Sequence, residues 1–266
     1  MKKKLAKVAI LAALSCLLMQ AFVACTDDNS SGAEGLYSKR SSSSFSMNSA
    51  GSTAFNGTWY YYIASNDVDI KWGASPDVAA IDCDNNIGVT YLVDQQVLVR
   101  CNGVCGKVTL KPAHHAWNAF VLHYVLEPDN WQTGNNFLTL SGICLKYKII
   151  YEGDFVDYVN DLQGMRINLE VADEISSSRE VNTKFRYTID ENLITENKGE
   201  VRVVNIAWSD FVYPVSDRYY ANEPYTLVDA VSHLHGIQIA FVQYSEFEVM
   251  EYFKIEKIGA YGTCED

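Results

Sequence analysis

Gly142-Ile143-Cys144-Leu145-Lys146-Tyr147-Lys148-Ile149 is the stretch whose reading decides the fold. Ile143, Leu145, Tyr147 and Ile149 point one way, and Cys144, Lys146 and Lys148 the other. A period of two, with one apolar and one wet side, describes a strand of an antiparallel sheet laid over a core. The alternation returns downstream, where Met165, Ile167, Leu169 and Val171 oppose Arg166, Asn168 and Glu170. Outward from these segments the chain is a series of short β-rich runs, at 59–63, 89–93, 96–100, 107–111, 116–126, 143–151, 166–171, 184–189, 201–208, 237–242 and 253–258. Clusters such as Asp82-Cys83-Asp84-Asn85-Asn86 and Gly134-Asn135-Asn136 punctuate them as turns. Residues 226–234 alone read as a helix, so a parallel sheet wound with helices is excluded. About ten or eleven short strands without an internal repeat predict, for residues 57–266, an all-β antiparallel jelly-roll β-sandwich with one short helix.

The N-terminus has a different logic. Lys2, Lys3, Lys4 and Lys7 form a positive region ahead of an apolar stretch at 8–19, the pattern of a signal peptide over residues 1–24. That stretch is too short to span the roughly 30 Å of a bilayer core. Phe22-Val23-Ala24-Cys25 resembles the lipobox of bacterial lipoproteins, in which the cleaved chain begins at the cysteine and carries a diacylglyceryl thioether there. Ten of the 31 residues from 26 to 56 are serine, including the run at 41–44. Such a composition buries too little apolar surface to offset chain entropy, so residues 25–56 are expected to form a disordered Ser-rich linker reaching on the order of 30 Å. The expected location is the bacterial cell envelope, lipid-anchored through Cys25 at the outer membrane or cell surface.

The whole chain is 266 residues, 48% hydrophobic and 20% charged, which is globular composition. It holds 33 acidic against 21 basic side chains, a formal charge of −12. Removal of the four N-terminal lysines leaves 17 basic residues and a charge of −16. That balance excludes nucleic acid as a partner and opposes anionic lipid headgroups at the level of net charge.

Of the seven cysteines, Cys83, Cys101, Cys105, Cys144 and Cys264 fall in the body. Export permits disulfides, and an odd count limits the body to two bridges. Cys101 with Cys105 would close a small turn, and Cys144 with Cys264 would fix the C-terminal end, leaving Cys83 free. The rival pairing joins Cys83 to Cys101 or Cys105. A CxxxC with no second pair at suitable spacing is weak ground for zinc, and no metal site is assigned.

Several segments, taken in order, resemble a known family. They are Cys101-Asn102-Gly103-Val104-Cys105-Gly106 ahead of Ala119-Phe120-Val121-Leu122, and Gly142-Ile143-Cys144-Leu145-Lys146-Tyr147. Next comes Val203-Val204-Asn205-Ile206-Ala207-Trp208-Ser209-Asp210-Phe211, similar to a Trp-x-Asp-Phe corner. Leu234-His235-Gly236-Ile237-Gln238-Ile239 and Phe253-Lys254-Ile255-Glu256-Lys257-Ile258 are similar to its last two strands. The family is the galactose-binding-like jelly rolls found as carbohydrate-binding modules of plant-fibre-degrading bacteria and as surface lipoproteins beside them. The resemblance implies a non-catalytic carbohydrate-binding lipoprotein whose partner is a polysaccharide or oligosaccharide. Val212-Tyr213-Pro214 follows the corner where the family commonly has Gln, and an attached catalytic domain is not expected.

Sugar binding needs aromatic planes for the apolar faces of pyranose rings and planar polar groups for hydroxyls. Trp117, Trp131, Tyr219 and Tyr220 are the aromatic candidates, with Arg186, Arg202 and Gln238 as polar ones. Arg186, Arg202 and Gln238 are expected to share one solvent-facing sheet, with Tyr219 and Tyr220 leaning over it. Two other readings compete: an envelope lipoprotein that binds protein for structure or adhesion, and a jelly-roll glycoside hydrolase. The latter rests on Glu246-Phe247-Glu248-Val249-Met250-Glu251, which mimics the Glu-x-Asp-x-x-Glu strand of some glucanases. Retaining hydrolases hold their carboxyls about 5–5.5 Å apart, while alternate residues of a strand lie roughly 6.6–6.8 Å apart, so a bulge would be required. His114-His115 and His233-x-His235 lack a third ligand for zinc. No cofactor is expected, although Asp82-x-Asp84-x-Asn86 opens like a calcium loop and leaves room for a structural Ca²⁺.

Overall fold

A computed structural model describes residues 55, 57–63, 68–73, 81–82, 90–111, 118–126, 132–152, 162–176, 183–189, 199–213, 224–243 and 249–265. Its elements are β1 (Thr58–Ile63), β2 (Val68–Trp72), β3 (Ile81–Asp82), β4 (Tyr91–Leu92), α1 (Gln95–Cys101), β5 (Val104–Leu110), β6 (Asn118–Val125), β7 (Gly142–Glu152) and β8 (Leu162–Val171). They continue with β9 (Phe185–Thr188), β10 (Arg202–Ala207), a 3-10 turn (Trp208–Asp210), α2 (Leu227–Ser232), β11 (Leu234–Gln243) and β12 (Val249–Ala260).

The strands form two six-stranded sheets. Sheet one runs β4-β1-β6-β11-β8-β9 and sheet two β10-β7-β12-β5-β2-β3. Every pairing is antiparallel. β5, β6, β7 and β8 change sheet at each connection, and β10, β11 and β12 do so again. This is the jelly-roll sandwich that the alternation predicts.

The two inner faces meet in an aromatic cluster. Phe253 of sheet two lies 5.5 Å from Phe120 and 5.2 Å from Phe241 of sheet one, ring centre to ring centre. Trp72 closes on the same ring at 6.1 Å. Ile143, Leu145, Tyr147 and Ile149 belong to this core, as do Met165, Ile167, Leu169 and Val171. Tyr124 ties the start of the body to it: its hydroxyl accepts from the Gly57 amide at 3.0 Å and donates to the Phe55 carbonyl. Burial pushes that phenol up to about 12. A Cβ at position 57 would stand 2.6 Å from the Tyr124 ring, so glycine is what permits the approach.

The run at 96–100, read as a strand, is instead helix α1. Val97 and Val99 favour strand locally, but the flanks override them. The Asp94 side chain caps the start by accepting from Gln96 N at 2.6 Å. Asn102, with φ 48°, ends the helix in the left-handed conformation. Val97, Leu98 and Cys101 are buried while Val99 is exposed, which is helical rather than alternating spacing.

Two disulfides form, Cys101–Cys105 and Cys144–Cys264, with Cα separations of 5.6 and 5.9 Å. Cys83 lies outside the described residues. Cys144 sits on the outward side of β7 and is nonetheless fully buried, because the C-terminal turn folds back over it. Gly259 pairs with Cys144 and makes room for that turn: a Cβ there would approach Thr263 Oγ1 to 2.6 Å.

Candidate functional site

The Trp-x-Asp-Phe segment is a corner that passes the chain between sheets. β10 belongs to sheet two, and two residues after the 3-10 turn ends the chain is already pairing with sheet one. Val212 N donates to the Arg186 carbonyl at 2.8 Å and Arg186 N to the Val212 carbonyl at 3.0 Å. Asp210 accepts from Ala207 N at 2.9 Å, and Trp208 Nε1 donates to the Leu140 carbonyl at 2.7 Å, which fixes the bend. Arg186 is held at the rim of sheet one by this connection.

Strand register then builds a site across the outer face of sheet one. Tyr60 pairs with His123, His123 with Gln238, Gln238 with Asn168, and Asn168 with Arg186. Directly paired residues share a face, so these five side chains form one row across β1, β6, β11, β8 and β9. One row along lie Tyr62, Val121, Ala240, Arg166 and Thr188; on the other side lie Thr58, Val125, Gly236 and Glu170. The central strands β6 and β11 contribute mostly small groups: Ala119, Val121, Val125, Gly236, Ala240 and Val242. The flanking strands contribute large ones, tyrosines on β1 and Arg, Asn and Glu on β8. By side-chain size this face is low at its centre and high at its flanks, a trough in that sense: a small apolar floor holding one polar pair, His123 and Gln238, between polar and aromatic walls, with most of these side chains buried.

The polar groups of the trough constrain one another. Glu170 Oε2 lies 3.4 Å from His123 Nδ1. An ionised carboxylate at Glu170 only accepts, and would hold the imidazole with its proton on Nδ1. Nε2 of the same ring is buried and has no hydrogen-bond partner. Arg186 Nε donates to Asn168 Oδ1 at 3.2 Å, fixing the amide's orientation. Gly236 gives Glu170 its path, since a Cβ there would stand 2.9 Å from Oε2. Tyr62 packs against the His123 ring at 5.2 Å between centres. Glu170 is the one carboxylate among the described residues of the trough.

Arg186 and Gln238 are brought to one face, but two corrections apply. Arg202 is in sheet two, on the same side of β10 as Val204 and Ile206, opposite the buried Tyr147. Val203 and Val204 are both apolar, so alternation in that run does not say which side is wet. Gln238 is 8% exposed and does not face open solvent; Arg186 is half-buried. Trp117, Trp131, Tyr219 and Tyr220 lie outside the described residues, as do Glu246, Glu248, His114, His115, Asp84 and Asn86. His233 is the C-cap of α2, its Nε2 3.0 Å from Glu174, and no cluster of three metal-ligating side chains forms among the described residues. The residues missed were His123, hidden in an apolar run, and Arg166, Asn168 and Glu170. The latter three were visible as the polar half of an alternation.

No protein-family model and no curated protein matches the chain. Among solved structures, a family 11 carbohydrate-binding module of a cellulosomal cellulase from Clostridium thermocellum is 10% identical, with a TM-score of 0.38 over 79% of this chain and 90% of that one. A family 30 carbohydrate-binding module from the same organism is 15% identical, with a TM-score of 0.27 over 77% of this chain and 98% of that one. An exo-beta-agarase is 11% identical, with a TM-score of 0.35 over 75% of this chain and 23% of that one. At these scores the superpositions carry no inference about ligand or activity.

Proposed function

We propose that this protein binds carbohydrate, without cleaving it, in the trough on the outer face of sheet one. The observation that carries the reading is the row Tyr60, His123, Gln238, Asn168 and Arg186 set across a floor of small apolar side chains. Four strand spacings of about 4.8 Å make that row roughly 19 Å long, which suits an oligosaccharide better than a single sugar. Apolar floor and tyrosine serve the ring faces, while amide, guanidinium and imidazole serve the hydroxyls. The anchoring proposed with it, acylation at Cys25 ahead of a Ser-rich tether, is supported by the order of charge, apolar stretch and cysteine at the N-terminus. Mass spectrometry of the mature chain tests it, and an unmodified Cys25 there refutes it.

Retention on insoluble cellulose and xylan, with soluble oligosaccharides as competitors, tests the binding. The protein is expected to be retained and competed off. Arg186→Ala should weaken retention by about tenfold, the scale of one charge-assisted hydrogen bond, with little change in melting temperature. No retention on either polysaccharide, or retention indifferent to competitors, refutes the reading.

A further inference from the structure

Sheet two has a second pattern on its outer face. Its register sets Lys71 opposite Lys107, Lys148 opposite Lys254, and Lys146 opposite Lys257. The residues that alternate with them, Ile70, Val108, Leu145, Tyr147, Phe253, Ile255 and Ile258 among them, belong to the core. All six lysines therefore stand on the outer side, Lys71 exposed and the others half-buried. Directly opposed residues have Cβ atoms about 4.5–5.5 Å apart, and like charges in that relation destabilise a sheet. Glu256 answers part of this charge, 2.8 Å from Lys254 and 3.9 Å from Lys146, and Asp69 at the margin is matched by Lys111 at 3.1 Å. Lys257 donates to the Thr263 carbonyl. By register Asp82 stands opposite Lys71 and Glu152 opposite Met250 on this same side, and with them counted the face still carries more lysines than carboxylates.

That excess stands in a chain of formal charge −12. Net charge does not decide what approaches one face. At physiological ionic strength charges beyond about 8 Å are largely screened, and the two sheets alone are about 10 Å apart. Three strand spacings and four residues along each strand make the lysine patch roughly 14 by 13 Å. It is as broad as it is long, unlike a track for one extended polymer. All six cations are lysines, compact charges on flexible stems, which match mobile phosphates better than the fixed bidentate geometry that arginine serves. We infer that this face docks on an anionic phospholipid surface, where headgroup phosphates relieve the repulsion between the opposed lysines. The inference is independent of the carbohydrate trough.

Sedimentation of the full chain carrying Cys25→Ser, which removes the proposed acylation site, with phosphatidylcholine vesicles with and without phosphatidylglycerol tests this. More protein should sediment with the anionic vesicles, and added salt should abolish the difference. Lys71→Gln and Lys148→Gln should each weaken the anionic preference about fivefold, the factor for one lysine at such a surface. Lys148→Gln should not melt below the parent, because it removes one of two opposed like charges; Lys71 has Asp82 opposite it on its other side, so its variant is read by vesicle binding alone. Arg186→Ala should leave vesicle binding unchanged. Equal sedimentation with both vesicle types, an undiminished preference in both lysine variants, or retention on polygalacturonate without vesicle binding would overturn the inference.

Discussion

On sheet one the outward row of His123, Gln238 and Asn168 is buried; Asn168 accepts from Arg186, and His123 Nε2 has no hydrogen-bond partner. On sheet two six outward lysines, Lys71 exposed and the others half-buried, are set in three pairs against like charges. The buried inward residues of the two sheets are alike in kind, apolar side chains of one core. The outward residues escape that constraint, and each face departs from what stability alone would select. An unpaired buried nitrogen costs desolvation on one side; opposed ammonium groups cost Coulomb energy on the other. Where a fold carries such costs, ligand contact is the first explanation to test.

The staple at Cys144 gives the strongest test of whether the two faces are independent. It lies on the lysine side of the sandwich and joins positions 120 residues apart. Cys144→Ala with Cys264→Ala should lower unfolding free energy by roughly 2–5 kcal/mol, read from denaturant titration. Protein still folded in buffer should keep its affinity for oligosaccharide, because the trough is built by register within sheet one. Loss of glycan binding by folded protein would mean that the faces are coupled through the core.

His123→Leu sharpens the contrast at a smaller scale. The substitution removes an orphaned nitrogen and the contact to Glu170 while keeping an apolar group of similar reach. Titration calorimetry with a soluble oligosaccharide should show about 1–3 kcal/mol of lost affinity. Thermal unfolding should show stability unchanged or raised. A stability loss on the scale of a core truncation, with affinity intact, would make the imidazole structural and dissolve the distinction between the faces.

Strict alternation made the sandwich legible. Residues 143–149 and 165–171 declare their inner sides because every second residue is apolar, and the structure puts those sides in the core. The pairing of Cys144 with Cys264 followed from position and count. α1 did not declare itself, since the strand preference of Val97 and Val99 masks the local caps Asp94 and Asn102 that decide the element. Arg202 was unreadable for the reason that two adjacent valines leave the wet side undefined. His123 gave no local signal at all. Its meaning comes from Glu170, 47 residues away, and that neighbour exists only through the pairing of β6 and β8 with β11. Sites made by register across strands leave their residues scattered, so sequence shows the parts without the row.

The smallest expected effect concerns α2, which leads directly into β11 and so into the floor of the trough. Asp229 and Thr226 cap its start reciprocally: Asp229 Oδ2 accepts from Thr226 N at 2.8 Å and from its hydroxyl at 2.7 Å, and Asp229 N donates back to Oγ1 at 3.2 Å. The backbone amide of Thr226 first, then its hydroxyl, hold the Asp229 carboxyl below the ordinary carboxylate range, with His233 adding to the same side. A folded-state value below the unfolded one means that the charged form favours the folded state. The contribution is present above the usual aspartate range and is lost as pH falls through the folded-state value. Asp229→Asn should therefore melt slightly lower than the parent at neutral pH and converge with it in acid. Melting temperatures across that range check this. Vesicle binding by the lysine face, which α2 does not feed, should be the same for parent and variant at neutral pH. A constant gap between the two melting curves at all pH values would show that the carboxylate's charge contributes nothing at the cap.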